Sequence, residues 1–191
     1  MASLTIHSTF GAPDRSASWE AGVPFETFLA SAEDLVQLWT STYVRATAPD
    51  DLVERASALP GTWRLLALGA DWCIDAAPVL PFVSRLAEAV PTLDFRLLDR
   101  DEHLDLMDEH LTNGRSRSIP VVILLDGDGR ERAWWGPRPA DLQAWVTSDE
   151  AQALDKEERY KRARQWFARD KGRSTLREIV AMMETAAGGV G

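Results

Sequence analysis

The spacing of apolar positions changes along the chain, and each change predicts a new element. From Pro24, Phe25, Phe28, Ala32, Leu35, Val36, Trp39 and Tyr43 recur at helical spacing, which predicts one long amphipathic helix. Pro49 and Asp50 open a shorter helix through Leu52, Val53, Ala56 and Leu59, and the Leu-Pro-Gly at 59–61 stops it. The period then shortens. TWRLLALGA, 62–70, is apolar, bounded by glycine and too short for a buried helix, so it predicts a central strand covered on both faces. Leu80, Val83, Leu86, Ala87 and Val90 carry a helix that begins just after Cys73 and stops at Pro91. LDFRLL, 93–98, is a second strand, and strand, helix, strand in this order predicts a right-handed parallel crossover.

HLDLMDEHL, 103–111, predicts a further helix, followed by a TNGRSRS loop. IPVVILLDGDGRERAWW reads as a hairpin around an Asp-Gly turn, and Pro139 begins a closing helix to about Val146. Helical spacing returns over 150–187: Tyr160, Ala163, Trp166 and Phe167 share one face. Leu176, Ile179, Val180, Met183 and Ala187 form a second stripe, entered through Thr175 and Glu178 as a capping-box pair. Residues 1–22 hold Gly, Pro and Ser without a sustained period, which predicts a loose leader. The expected organisation is one domain: leader 1–22, N-terminal helical extension 23–60, α/β core 61–147 and C-terminal helical extension 150–187.

Composition narrows the function. With 191 residues, 45% of them hydrophobic, the chain can bury one core, and it falls short of the usual size for two. Lys and Arg total 21 against 30 Asp and Glu, a formal charge of −9 that repels polyphosphate, so nucleic acid is not an expected partner. The first residues lack a basic start followed by an apolar block, and no later run approaches bilayer length. The expectation is a soluble, cytoplasmic protein with no membrane partner. Cys73 is the only cysteine, which excludes an internal disulfide and suits a reducing compartment.

A strand ending in Trp72-Cys73, a helix after the cysteine, Pro81 within it, a later Ile119-Pro120 opening a hairpin, and Gly136 after that hairpin together resemble thioredoxin. More narrowly, DWCIDAAPVLP, DEHLDLMDEHLTNGRSRSIP and WWGPRP resemble a bacterial group of single-cysteine thioredoxin-like proteins with helical extensions and an Asp in the motif. The resemblance covers the central segment and implies a thioredoxin-like α/β fold, a central mixed sheet flanked by helices. It also implies a cis peptide before Pro120 and a place in cell redox homeostasis.

Two departures bear on chemistry. The family's Cys-x-x-Cys is here Cys73-Ile74-Asp75-Ala76, and the acidic residue that assists the second cysteine on the central strand is replaced by Ala67. Without a second thiol no proton awaits that acid, and a carboxylate in an apolar strand would only cost desolvation energy. A cyclic dithiol exchange is excluded. What remains is a monothiol route, in which Cys73 takes a mixed-disulfide adduct and a low-molecular-weight thiol, the one co-substrate implied, releases it. A cysteine at a helix start gains thiolate character from unpaired N–H groups, while Asp75 opposes it. Arg115 and Arg117 would lie across the groove and restore a positive field, or hold the carboxylates of a small thiol. In this reading Trp72, Asp75, Ile119, Pro120, Trp135 and Gly136 shape the groove for an extended protein segment or small-molecule disulfide, and Cys73 is exposed or half-exposed.

Two other readings compete with it: a redox-inactive binding module using the same groove, with the helical arms as a docking or dimer surface, and a sensor in which peroxide oxidises Cys73 and a small thiol caps it. The plainest alternative makes Cys73 a small apolar filler under Trp72. His103, Met107 and His110 share a helical face, but two histidines seven residues apart lie about 10 Å apart by helical rise, so the acidic run is read as a solvated face without metal. Asp-Gly-Asp-Gly-Arg, 126–130, lacks the remaining calcium ligands and reads as a tight turn. The basic stretch 159–173 is the polar outside of a packed arm, with charge available to pair with the acidic helix at 99–109. Trp39, Trp63, Trp145 and Trp166 are expected to fasten the arms to the sheet.

Overall fold

The computed structural model describes residues 5–188. In chain order the elements are β1 Ile6–Ser8, α1 Ser16–Ala21, α2 Phe25–Ser31, α3 Val36–Arg45, α4 Asp50–Ser57, β2 Trp63–Gly69, α5 Leu80–Ala89, β3 Leu93–Asp99 and α6 Leu104–Asp108. They continue with β4 Val121–Asp126, β5 Glu131–Trp135, α7 Ala140–Val146, α8 Asp149–Gln152, α9 Lys156–Asp170 and α10 Arg173–Gly188. The strands form one mixed sheet in the order β1-β5-β4-β2-β3. β2 is an interior strand next to the central β4, parallel to β3 and antiparallel to β4, and from Leu65 to Gly69 it is buried throughout, as its unbroken apolar run requires. The expected thioredoxin-like α/β core with helical extensions is the observed architecture.

Register explains why distant motifs meet. Leu68 pairs with Val121, so Ile119-Pro120 arrives beside the chain leaving the end of β2, where Cys73 lies. Trp135 pairs with Val122, which brings Gly136 to the same end. The end of β3 arrives there as well, through an Arg100 N–H donated to Gly69 O at 2.8 Å. In α/β sheets, crevices outside the carboxyl ends of the strands are where sites form.

The structure departs from the sequence expectation in several places. Residues 1–22 are not a loose leader where they are described: β1 pairs with β5, and Trp19 on α1 is buried, 4% exposed, beneath the guanidinium of Arg96 at 4.9 Å. The helix expected from Pro24 to Tyr43 is two, because the Asp71 carboxylate accepts the Glu33 and Asp34 N–H groups at 2.8 and 3.0 Å and takes them out of a helical ladder. Leu35 starts α3 from a left-handed backbone conformation. The helix after the cysteine does not begin at once; α5 starts at Leu80, and residues 71–79 are turns. Finally, Glu178 does not cap α10. Its carboxylate points inward, accepting from Trp135 Nε1 at 2.7 Å, Ala140 N at 2.9 Å and Thr5 Oγ1 at 2.9 Å, and so clamps α10 to β5 and α7.

Four expected tryptophan anchors pack on the core: Trp39 and Trp63 are buried, and Trp145 and Trp166 lie against it half-buried. The 126–130 turn forms as expected, with Asp126 Oδ1 accepting from Asp128 N and Arg130 N. The acidic segment is not wholly solvated: Met107 and His110 face inward, 0% and 1% exposed, while Asp105, Asp108 and Glu109 face water. Nor does the basic arm dock on it; Arg162 pairs with Glu150 and Glu158, and Arg173 with Asp51.

Candidate functional site

Each residue of the Asp-Trp-Cys-Ile-Asp-Ala stretch has a distinct position. Asp71 holds the α2–α3 connection as described, and its carbonyl accepts the Trp39 indole N–H at 2.7 Å. Those backbone donors hold the Asp71 carboxyl below the ordinary range although burial pushes the other way. Trp72 is 46% exposed, with Arg100 over its ring at 5.0 Å and its Nε1 donating to Asp101 at 3.2 Å. It forms an open wall at the strand ends. Ala76, where a resolving thiol would sit, is fully buried.

Cys73 is not exposed. It retains 7% of its surface, and its thiol donates to Ile119 O at 3.5 Å across the cis Ile119–Pro120 bend. The two sequence motifs therefore meet, but the sulfur is sheltered behind them. It lies in a turn that ends before α5, so it does not crown a helix; the Ala76 and Asp75 N–H groups are its compensating donors. Burial nevertheless pushes the thiol up to about 11, with the Asp75 charge adding to the rise. At neutral pH the thiol is therefore held in its neutral form more firmly than a free cysteine.

The expected cations are elsewhere. Arg117 is exposed and pairs with Asp108 through two hydrogen bonds of 2.6 Å, and Arg115 is exposed on the same loop. The cation that does face the thiol is Arg138, which pairs with Asp75 and donates to Gln143 Oε1 at 3.0 Å. This arginine lies within WWGPRP, and its only signal in the sequence is a charge held between Pro137 and Pro139 close after Gly136. Trp135 is not a groove wall, being fully buried against Glu178. Gly136 does belong to the site: a Cβ there would fall 2.4 Å from Pro120 O, at a backbone φ of +150°, so only glycine lets the two loops touch.

A buried thiol opposite a cis Ile-Pro bend, at the carboxyl end of a mixed sheet, defines a thioredoxin-fold protein with one cysteine. The family model described as Thioredoxin matches residues 22–161, and the chain belongs to that family. No curated protein matches. Among solved structures, the chain is similar to a Pseudomonas aeruginosa protein of unknown function, with 18% identity, a TM-score of 0.72 and coverage of 92% of this chain and 99% of that one. It is also similar to an HIV epitope scaffold, with 18% identity, a TM-score of 0.70 and coverage of 92% and 100%. At that identity the likeness concerns the fold alone. No described helix is long and apolar enough to cross a membrane.

Proposed function

We propose that this protein works in the cytoplasm by recognition and not by redox turnover, with an extended protein segment lying along Trp72 and the Ile119-Pro120 bend, and Cys73 serving as a neutral thiol in the groove wall. One observation carries this reading: the only sulfur is sheltered, 7% exposed, and burial together with the Asp75 carboxylate keeps it neutral. A nucleophile so rarely ionised has no kinetic advantage over free thiols in solution. Trp72, by contrast, is an aromatic side chain 46% exposed, next in sequence to the cysteine that meets the Ile119-Pro120 bend.

The contact between the Cys73 thiol and Ile119 O favours a second reading, monothiol exchange. In it the Cys73 thiolate attacks a mixed disulfide R–S–S–R′, forms Cys73–S–S–R and releases R′–S⁻; a small-molecule thiolate then attacks the adduct, forms the new disulfide and restores the Cys73 thiolate. The rate of iodoacetamide labelling at pH 7 separates the two. Recognition predicts labelling at least tenfold slower than for free cysteine, rising to the free rate in denaturant. Labelling of the native protein as fast as free cysteine overturns it in favour of exchange.

A further inference from the structure

A cavity of about 620 Å³ lies away from the Cys73 thiol. It lies between α3 of the N-terminal extension and α9 of the C-terminal one, and its inner wall is the far side of the motif turn and the start of α5, through Ile74, Pro78 and Phe82. Phe167 on α9 completes an apolar interior. The volume falls within the range that holds a small organic ligand. Arg45, Arg164 and Lys171 line its edge, all exposed.

None of these cations has a carboxylate within ion-pair distance among the described residues, and Arg45 has only Ser41 Oγ at 3.3 Å. One of the three is placed at conformational cost: Lys171 ends α9 in the left-handed region, φ +52°, where glycine or asparagine is usual. Gly172 fixes that turn, since a Cβ there would fall 2.3 Å from the Phe82 ring, so the backbone packs directly on a cavity residue.

We infer that this cleft binds an amphipathic anion: an apolar chain in the Ile74, Phe82 and Phe167 interior, with a carboxylate head between Arg45, Arg164 and Lys171. An apolar interior supplies affinity through area removed from water, and a ring of unpaired cations selects an anionic head without having to break existing ion pairs. This site is separate from the groove at Trp72, and Ile74 and Cys73 look into opposite sides of the same turn.

Isothermal titration of the full chain with decanoate and with 1-decanol tests the inference. Decanoate should bind saturably at one per chain, at least tenfold more tightly than 1-decanol. The triple variant R45Q/R164Q/K171Q, altered only at exposed positions, should lose that tenfold preference, and Ala168→Trp, which fills the cleft from its exposed rim, should abolish binding of both. Thermal melts confirm that each variant folds. Absence of saturable decanoate binding, or affinities unchanged in both variants, overturns the inference. Decanoate titration reads this cleft and iodoacetamide labelling of Cys73 reads the groove, so failure at one is told apart from failure at the other.

Discussion

Replacing Asp75 by asparagine removes the negative charge that raises the Cys73 thiol and leaves Arg138, which lowers it, without its carboxylate. Both changes act in one direction. Asp75→Asn should bring the thiol pKa down from about 11 and speed native iodoacetamide labelling severalfold, whereas Arg138→Gln should slow it further. The ion-pair side chains are 13% and 18% exposed, so losing one partner should also cost about 1–3 kcal/mol, read from urea midpoints. Slower labelling in Asp75→Asn would show that this pair does not govern the thiol. That Cys73, Ile119, Pro120 and Gly136 come together, and that Asp75 opposes ionisation of the thiol, is legible in the motifs, because these depend on residue type at fixed spacing. The place of Arg138 is not, since nothing local indicates that a side chain 63 residues from Asp75 returns to it.

Asp71 decides the shape of a whole element. Its carboxylate is the acceptor that ends α2 and orients α3, and its carbonyl anchors Trp39, the fully buried tryptophan of the N-terminal extension. Asp71→Ala should cost about 1–2 kcal/mol, and hydrogen exchange should quicken first at the Glu33 and Asp34 amides while β2 stays protected. Uniform loss of protection would mean instead that the extension and the sheet open together. At this scale the periodicity of apolar residues placed β2, β3, the β4–β5 hairpin and α7 well. It failed where a tertiary hydrogen bond competes with the helix, at residues 32–35, and where an apolar face seemed to continue past the cysteine although residues 71–79 are turns. Short segments such as β1 escaped because a strand of three residues has no period to detect.

The molecule as a whole is also held by a buried polar network. Glu131, 1% exposed, accepts from Thr9 Oγ1 at 2.7 Å and Arg15 Nε at 2.7 Å and bonds His110 Nε2 at 3.0 Å, while Arg15 reaches on to Glu109. It ties the N-terminal segment and α6 to β5. Burial raises the Glu131 carboxyl, but His110, Thr9 and Arg15 outweigh it and hold the group below its ordinary value of 4.5. Its folded state therefore binds the proton less readily than the unfolded chain. The stability it supplies is complete above pH 4.5 and is lost as pH falls through the lower folded value. Urea unfolding from pH 7 to 3 should show Glu131→Gln less stable than the parent at pH 7, with the gap narrowing in acid. A gap of constant size would place the effect in packing alone.

Period and motif spacing by themselves determined the β2–β3 parallel crossover, the β4–β5 hairpin and the absence of a second thiol beside Cys73, because these follow from residue types along neighbouring stretches of chain. Whether the one sulfur is presented or sheltered, which arginine faces it, and that two helical extensions enclose a cation-edged cleft behind the motif were decided only by tertiary structure. Burial and charge pairing are sums over groups far apart in sequence, and their sign emerges only when the sheet brings those groups together.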